Sequence, residues 1–439
     1  MLVLLGVLLR SWAYFARQPL WLDEILLSRN ILELPLNELL TRPLWLDQVA
    51  PRGFLLVEKV GVVLFGGNEM TLRFFPFLSG IAGLILFRRL AVRVLTGLAV
   101  PFAVGLCAVG IPFLRFGAEV KQYSLDATGA TLLMLVAVHL LGRDASTRRL
   151  VGAGLIGVTL VWFSQASVLI MGGIGLGLGC SWIFTRDRRS GRVLLFTMPL
   201  WGLASVAAVV AGRHSMSTST AAFMDDFWRR AFLPWPVQLS SGLSWFSGQV
   251  QTAFSDPTML RYRWPLLFVV AVLVGIVVLW RTRRAVALMI LGPLVMALLA
   301  ASAHLYPFGG RLMFYLVPGL ILAIAAGVEW ARAAVSRYQP ILGAAVMAAV
   351  AFPPISALVT APPPYSVENI PGVLAYLRAN RLPGDSIYIM PLQRIGALFY
   401  GPRFGVTSDQ WSTGICERSD SRAYLRDLDR YRGVERLWL

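Results

Sequence analysis

Charge is scarce in this sequence. Only 14% of its 439 residues are Asp, Glu, Lys or Arg, and 57% are hydrophobic, whereas soluble domains carry about 25% charged residues. A chain this poor in charge is not a soluble globule and reads as a polytopic α-helical membrane protein. Cysteine is rarer still: Cys107 and Cys180 lie in apolar runs and Cys416 near the C-terminal end, which leaves no disulfide framework or cysteine-based metal site to read. Histidine is equally sparse. His214 has no partner at metal-ligand spacing, and His139 and His304 read more simply as satisfied side chains than as ligands. No glycine-rich loop of the Walker or Rossmann type follows a strand, which argues against nucleotide-driven chemistry. Acidic residues are outnumbered, 23 against 40 Lys and Arg, for a net charge of +17. Those cations fall in short clusters between apolar runs, as in inward-facing membrane loops, and nucleic acid is not an expected partner.

What the chain has in quantity is apolar sequence. About eleven stretches reach the roughly 20 residues that a spanning helix needs, near 1–17, 71–88, 95–114, 125–141, 149–164, 166–185, 193–212, 264–280, 285–303, 312–331 and 340–360. The first carries Arg10 and lacks both a basic leader and a small-x-small cleavage site, so it reads as an uncleaved helix rather than a signal peptide. With eleven spans, the clusters at Arg88, Arg89 and Arg93; Arg143, Arg148 and Arg149; Arg186, Arg188, Arg189 and Arg192; Arg281, Arg283 and Arg284; and Arg332 and Arg337 share one side, expected to be cytoplasmic. Counting 51–66 as a further span would invert every later loop, so that stretch is expected to lie along the outer membrane face. The protein is then a multi-pass protein of the cell (inner or plasma) membrane, in contact with the lipid bilayer, with its active site on the extracytoplasmic face.

Two units are expected: a membrane unit over 1–360, with a first outer loop at 18–70 and a third at 213–263, and a small outer α/β unit over 361–439. Ala361-Pro362-Pro363-Pro364 ends the last span. A helix near 367–380, a turn at Leu382-Pro383-Gly384-Asp385, a strand at 386–390, a helix near 392–400 and a strand-like Leu437-Trp438-Leu439 follow.

The polar residues of interest sit in the outer segments. Asp23-Glu24, just past the first apolar segment, places two adjacent carboxylates at a bilayer where desolvation is costly. The alternative is that the pair caps a short helix beginning near Ile25. The second outer loop gathers Glu119, Lys121, Gln122, Tyr123 and Asp126, either around a common cavity or as a solvated hairpin, and Arg311 follows Gly309-Gly310 at the start of an apolar helix. There a guanidinium can fork onto phosphate while the glycines let a headgroup approach, or it can snorkel to lipid headgroups. Arg52, Glu58 and Lys59 are expected to pair with one another or line the cavity, and Arg73 to reach headgroups or Glu69. The third loop, with Asp225, Asp226, Trp228, Arg229, Arg230, Trp235 and Trp245, reads as an interfacial lid, a sugar platform or an ordinary aromatic belt.

Taken together, Trp21-Leu22-Asp23-Glu24, the run from Gly66-Gly67-Asn68-Glu69 to Phe77-Leu78-Ser79-Gly80, Glu119 to Asp126, and Leu305 to Arg311 resemble the membrane glycosyltransferases of the GT-C fold. The similarity is greatest to the glycosyltransferase family 39-like proteins, which include protein O-mannosyltransferases and lipid A aminoarabinose transferases. Where many relatives have His-Pro-Pro before the interfacial helix, this chain has Val49-Ala50-Pro51-Arg52. The resemblance implies transfer of a sugar from a polyprenyl-phosphate-linked donor to a protein, lipid or polysaccharide acceptor, and it disfavours a soluble nucleotide-sugar donor. Such a reaction needs a base for the acceptor proton and cations for the leaving phosphate. Asp23 is the expected base, with Glu24 beside it; Lys121 and Arg311 are the expected phosphate ligands; Glu119, Gln122, Tyr123, Asp126 and Tyr306 are expected to hold sugar or acceptor. A single displacement implies inversion at the anomeric carbon. Asp23, Glu24, Asp47, Glu119 and Asp126 offer hard oxygen ligands to a divalent metal, but no obligatory metal or other cofactor is expected. A transporter or flippase of lipid-linked glycans and a non-catalytic membrane scaffold are the alternative functions.

Overall fold

The computed structural model describes residues 1–142, 145–235, 238–255, 264–365, 367–417 and 420–439; Arg143 and parts of the third outer loop (236, 237 and 256–263) lie outside the described residues. Helices cover the eleven apolar runs in the order the sequence predicts. Among the described residues, eight are long and apolar enough to span a bilayer: Glu69–Val94, Tyr123–Gly142, Ser167–Thr185, Arg188–His214, Pro265–Thr282, Arg284–Ser302, Gly310–Ser336 and Pro340–Thr360.

The helices over the other three apolar runs are shorter than expected. Leu2–Phe15 and Thr147–Leu160 have 14 residues each. The apolar run 95–114 is broken: Ala99–Val109 stops at Gly110, and a separate helix, Ile111–Phe116, resumes under Pro112, a residue that disfavours helical geometry in its predecessor. Broken backbone inside an apolar bundle must find new partners. Arg10 supplies them, its guanidinium donating to the carbonyls of Cys107 at 3.1 Å and Ala108 at 3.4 Å as well as to Gly6. The charge that makes the first segment unusual is thus a cap for a broken neighbour.

Small residues bring spans together, as close backbone approach in a bilayer requires. A Cβ on Gly173 would run into the backbone of Gly292 and Pro293, and one on Gly327 into that of Ala271. These contacts belong to one large core between the spans, with Phe268, Met289, Ile321 and Leu322 fully buried.

A second core lies at one end of the bundle. It joins Leu20, Ile25, Leu27 and Ile31 of the loop over 18–70 to Leu374, Leu377, Ile387 and Tyr400 of the tail. The first loop carries helices Leu22–Glu33, Leu36–Thr41 and Arg52–Phe65, the last falling within the stretch 51–66. In the tail, strands β1 (Ser386–Ile389), β2 (Ser412–Thr413) and β3 (Leu437–Trp438) form a parallel sheet of order β2-β1-β3, with Tyr388 opposite Ser412 and Ile387 opposite Trp438. Parallel neighbours need crossovers, supplied here by helices Arg394–Tyr400 and Ser421–Leu428. The hydroxyl of Tyr400 accepts the Leu20 amide at 2.9 Å, the Glu368 carboxylate accepts the Leu22 amide at 3.1 Å, and Arg403 pairs with Glu69 at 2.8 Å. The tail therefore braces the first loop at the start of the helix that bears Asp23 and Glu24.

Candidate active site

The helix Leu22–Glu33 begins with adjacent carboxylates, and helical geometry sends neighbours to different faces. Asp23 and Glu24 accordingly part. Asp23 places one carboxylate oxygen 3.0 Å from Lys121 Nζ and the other 2.7 Å from the guanidinium of Arg311. The Arg311 guanidinium also lies 5.6 Å from the ring centroids of Trp21 and Tyr123, so two aromatic rings flank one of the two cations that hold Asp23. Burial by itself would raise the Asp23 carboxyl, and Lys121 with Arg311 more than offset it, holding the group below the usual carboxylate range. Burial lowers Lys121 despite the attraction of Asp23.

Glu24 turns the other way. Its oxygens accept Arg73 Nε at 2.8 Å and the Arg73 terminal nitrogen at 2.5 Å, together with the amides of Val120 at 2.8 Å and Trp21 at 3.3 Å. This is a bidentate pair closed on both sides, and its Trp21 bond is half of a helix capping box. Arg73 thus reaches Glu24 rather than headgroups or Glu69, and Glu24 ties the first helix to the loop that carries Lys121.

The second outer loop divides similarly. Glu119 accepts the indole N–H of Trp21 at 2.7 Å through one oxygen, while the other is buried without a partner. Burial, and next the charge of Glu24, push Glu119 up to about 7 against the pull of Arg115 and Arg311. Tyr123 faces the guanidinium of Arg311. Gln122 is buried with its carbonyl oxygen unpartnered. Asp126, inside the following span, accepts Ser164 Oγ at 2.6 Å. Tyr306 donates to the Leu312 carbonyl at 3.2 Å and meets Tyr315 edge-on, so both Asp126 and Tyr306 stand behind the Asp23 cage rather than against Asp23 itself.

The loop over 213–263 steadies both cations. Thr220 donates to Asp47 at 3.0 Å, next to Gln48, whose side-chain oxygen accepts Lys121 Nζ at 2.8 Å. Leu46 and Asp47 both adopt left-handed backbone, with φ of 61° and 52°, a conformation costly for non-glycine residues. On the Arg311 side, Phe308 donates its amide to the Ala231 carbonyl at 2.8 Å, and a Cβ on Gly309 would come within 2.9 Å of Ala231 Cβ. The space beside Gly309 is therefore occupied by the third loop, not left for a headgroup as the sequence suggested. Gly310, at φ 51°, uses the left-handed freedom of glycine to turn the chain into Arg311.

Other expectations fare differently. Arg52, Glu58 and Lys59 do not pair with one another: Arg52 donates to Ser215 at 2.7 Å and Ala211 at 3.2 Å, Lys59 to the Ile31 carbonyl at 2.8 Å, and Glu58 is buried with one oxygen unpartnered, its carboxyl pushed well up by burial. His304 stacks on Phe232. The five carboxylates proposed as hard ligands scatter: Asp23 faces two cations, Glu24 faces Arg73, and Asp47, Glu119 and Asp126 meet Thr220, Trp21 and Ser164. Among the described residues no group of three or more His, Cys, Asp and Glu is arranged to hold a metal ion. Sequence reasoning missed Gln48 and Arg115. Nothing in the sequence marks Gln48, whereas the four-residue spacing of Arg115 and Glu119 is a recognisable helical pairing signal.

No protein-family model matches the chain, and no curated protein matches it by sequence. Its structure is similar to that of the Archaeoglobus fulgidus oligosaccharyltransferase. The apo form matches with a TM-score of 0.56 at 11% identity, covering 93% of this chain and 64% of that one. The complex with zinc and sulfate matches with a TM-score of 0.54 at 10% identity, covering 94% and 62%. The chain thus spans just under two thirds of the length of those structures. ArnT from Cupriavidus metallidurans, bound to undecaprenyl phosphate, matches with a TM-score of 0.46 at 14% identity, covering 99% of this chain and 89% of that one. The bundle, its loops gathered at one end and the tail above them, define a multi-pass membrane protein of the GT-C fold.

Proposed function

We propose that the protein transfers a sugar from a polyprenyl-phosphate-linked donor to a hydroxyl-bearing acceptor at the extracytoplasmic face of the cell membrane, with inversion at the anomeric carbon. The observation that carries this reading is the Asp23 carboxylate held between Lys121 and Arg311. Support comes also from the fold, which in A. fulgidus belongs to an oligosaccharyltransferase. Residues 361–439 serve as an outer unit covering the first loop.

The chemistry follows from the charges. A lipid-borne phosphate arriving from the bilayer is the natural ligand for a lysine and an arginine at a span terminus. As its oxygens take Lys121 and Arg311, Asp23 loses the two neighbours that depress its basicity, and its carboxylate becomes a competent base only when donor is present. The acceptor O–H then gives its proton to Asp23, its oxygen forms the new bond to the anomeric carbon, and the bond from that carbon to the phosphate oxygen breaks with its electron pair leaving on the polyprenyl phosphate. Lys121 and Arg311 stabilise the charge that develops there. Glu24 and Arg73 keep the two loops in register, and Tyr123 and Trp21 wall the cage.

Asp23→Asn tests the assignment. The variant is expected to insert, to melt below the parent because Lys121 and Arg311 lose the carboxylate they share, and to lose sugar transfer from a radiolabelled polyprenyl-phosphate donor by at least about a hundredfold while still binding that donor. Transfer at the parental rate in Asp23→Asn rules out Asp23 as the base and returns the protein to the transporter or scaffold reading.

A further inference from the structure

Arg311 reaches Asp23 from an unusual element. Residues Gly310–Leu316 form a 3₁₀ helix of seven residues that passes directly into the α-helix Val317–Ser336, whereas 3₁₀ runs longer than three or four residues are uncommon. The sequence supplies the reason. Pro318 is the second residue of the α-helix and has no N–H, so an α-helix continued backward through 310–316 would leave the Phe314 carbonyl without the donor four residues on. Phe314 is 1% exposed, and a buried carbonyl without a partner is costly. In the 3₁₀ helix that carbonyl accepts the amide of Val317 instead. Leu316, at φ −78° and ψ −24°, keeps 3₁₀ geometry up to the join.

The two helical geometries aim Arg311 differently. A 3₁₀ helix rises about 2.0 Å and turns about 120° per residue, against about 1.5 Å and about 100° in an α-helix. Between Val317 and Arg311 the difference accumulates to about 3 Å and about a third of a turn, enough to carry the guanidinium off an Asp23 oxygen that is 2.7 Å away. Side chains three apart eclipse in a 3₁₀ helix, so Phe314 lies in one row with Arg311. Its ring centroid sits 4.9 Å from that of Phe113 and 4.8 Å from that of Phe116, and Phe116 sits 5.1 Å from Tyr123, which the Arg311 guanidinium faces at 5.6 Å. Both members of the row are thus held by rings that flank Lys121 in the chain. We infer that Pro318 is a positioning residue for donor binding: by excluding the α-helical alternative it fixes the 3₁₀ segment that sets Arg311 against the carboxylate Lys121 also holds.

The inference rests on the transferase reading, and one arm of its test needs no donor. Melting of the full chain in nanodiscs is followed by tryptophan fluorescence for Asp23→Asn, Arg311→Gln and the double variant, each in the parent and in Pro318→Ala. In the parent the shift of the double variant is expected to fall short of the sum of the single shifts, because the two side chains form one pair. In Pro318→Ala the shifts are expected to add. Pro293→Ala, which alters a proline inside another spanning helix, is expected to keep the parental coupling. Undecaprenyl phosphate should bind Pro318→Ala at least about tenfold more weakly than the parent, the worth of about one hydrogen bond to a charged group, and should bind Pro293→Ala like the parent. Coupling that persists in Pro318→Ala, or that vanishes equally in Pro293→Ala, overturns the inference, as does parental lipid binding by Pro318→Ala where Lys121→Gln has lost it. Lys121→Gln that binds the lipid like the parent overturns the donor reading instead, and the coupling then decides the role of Pro318 alone. Should Pro318→Ala not accumulate, Phe314→Leu, which removes the ring held by Phe113 and Phe116, is measured against the same criteria.

Discussion

Replacing Glu24 by Gln separates the two neighbouring carboxylates by role. The Glu24 and Arg73 side chains are 1% and 3% exposed, and four hydrogen bonds converge on the Glu24 oxygens. Glutamine preserves shape and one acceptor oxygen but removes the charge, leaving the guanidinium of Arg73 with neutral acceptors only, that amide oxygen and the carbonyls of Gln18 and Pro19. Removing one partner of a buried pair costs about 3–5 kcal/mol, because the other charge stays buried. An unfolding entropy of about 2.1 cal/mol/K per residue scales to about 0.9 kcal/mol/K for a chain of this length, so the melting temperature should fall by about 3–5 °C. Tryptophan fluorescence of the detergent-solubilised protein during heating reads this directly. Adding Arg73→Met should recover more than half of the loss, since the double variant has no orphaned charge. A Glu24→Gln protein that melts like the parent yet has lost sugar transfer refutes this reasoning and makes Glu24 a reacting group.

Three further outcomes follow from the geometry. Glu119 binds its proton more tightly in the folded protein than in the unfolded chain, so its ionisation removes stability as pH rises from the ordinary glutamate range through about 7; Glu119→Gln should flatten the fall in melting temperature between pH 5 and pH 8, and an unchanged slope contradicts the assignment. Gly173→Leu should uncouple Ser167–Thr185 from Arg284–Ser302, because a Cβ at that position already meets the backbone of Gly292 and Pro293; membrane-inserted yield and melting temperature check it, and parental values for both contradict the packing. Gln48→Ala should raise the KM for the polyprenyl-phosphate donor several-fold with a smaller change in kcat, since Lys121 loses the acceptor that orients it; a fall in kcat at constant KM points instead to a role in the chemical step.

Much of this architecture was legible because a bilayer makes apolar length informative. Helices cover all eleven apolar runs, eight of them long and apolar enough to span a bilayer among the described residues. The shortfall in three of them comes from local features, chiefly the break at Gly110 and Pro112. The tail was readable too, from its prolines, its turn at Gly384 and the apolar strand ending at Trp438. Sequence also placed Asp23, Lys121 and Arg311 as candidates, and the fold brings those three into contact across 98 and 288 positions of separation. What sequence could not give was the direction of side chains. Asp23 and Glu24 look equivalent in a string of letters, but a helical step of about 100° turns one to the cations and the other to Arg73. Partners contributed from distant loops were equally hidden: Gln48 under Lys121, Trp21 on Glu119, Ala231 against Gly309.

The decisive measurement is a density map of the protein in nanodiscs with undecaprenyl phosphate. The phosphate should lie within about 4 Å of both Lys121 Nζ and the Arg311 guanidinium, with Asp23 released from at least one of them. A phosphate seated elsewhere, with Asp23 still closed on both cations, contradicts the proposed reaction at its foundation.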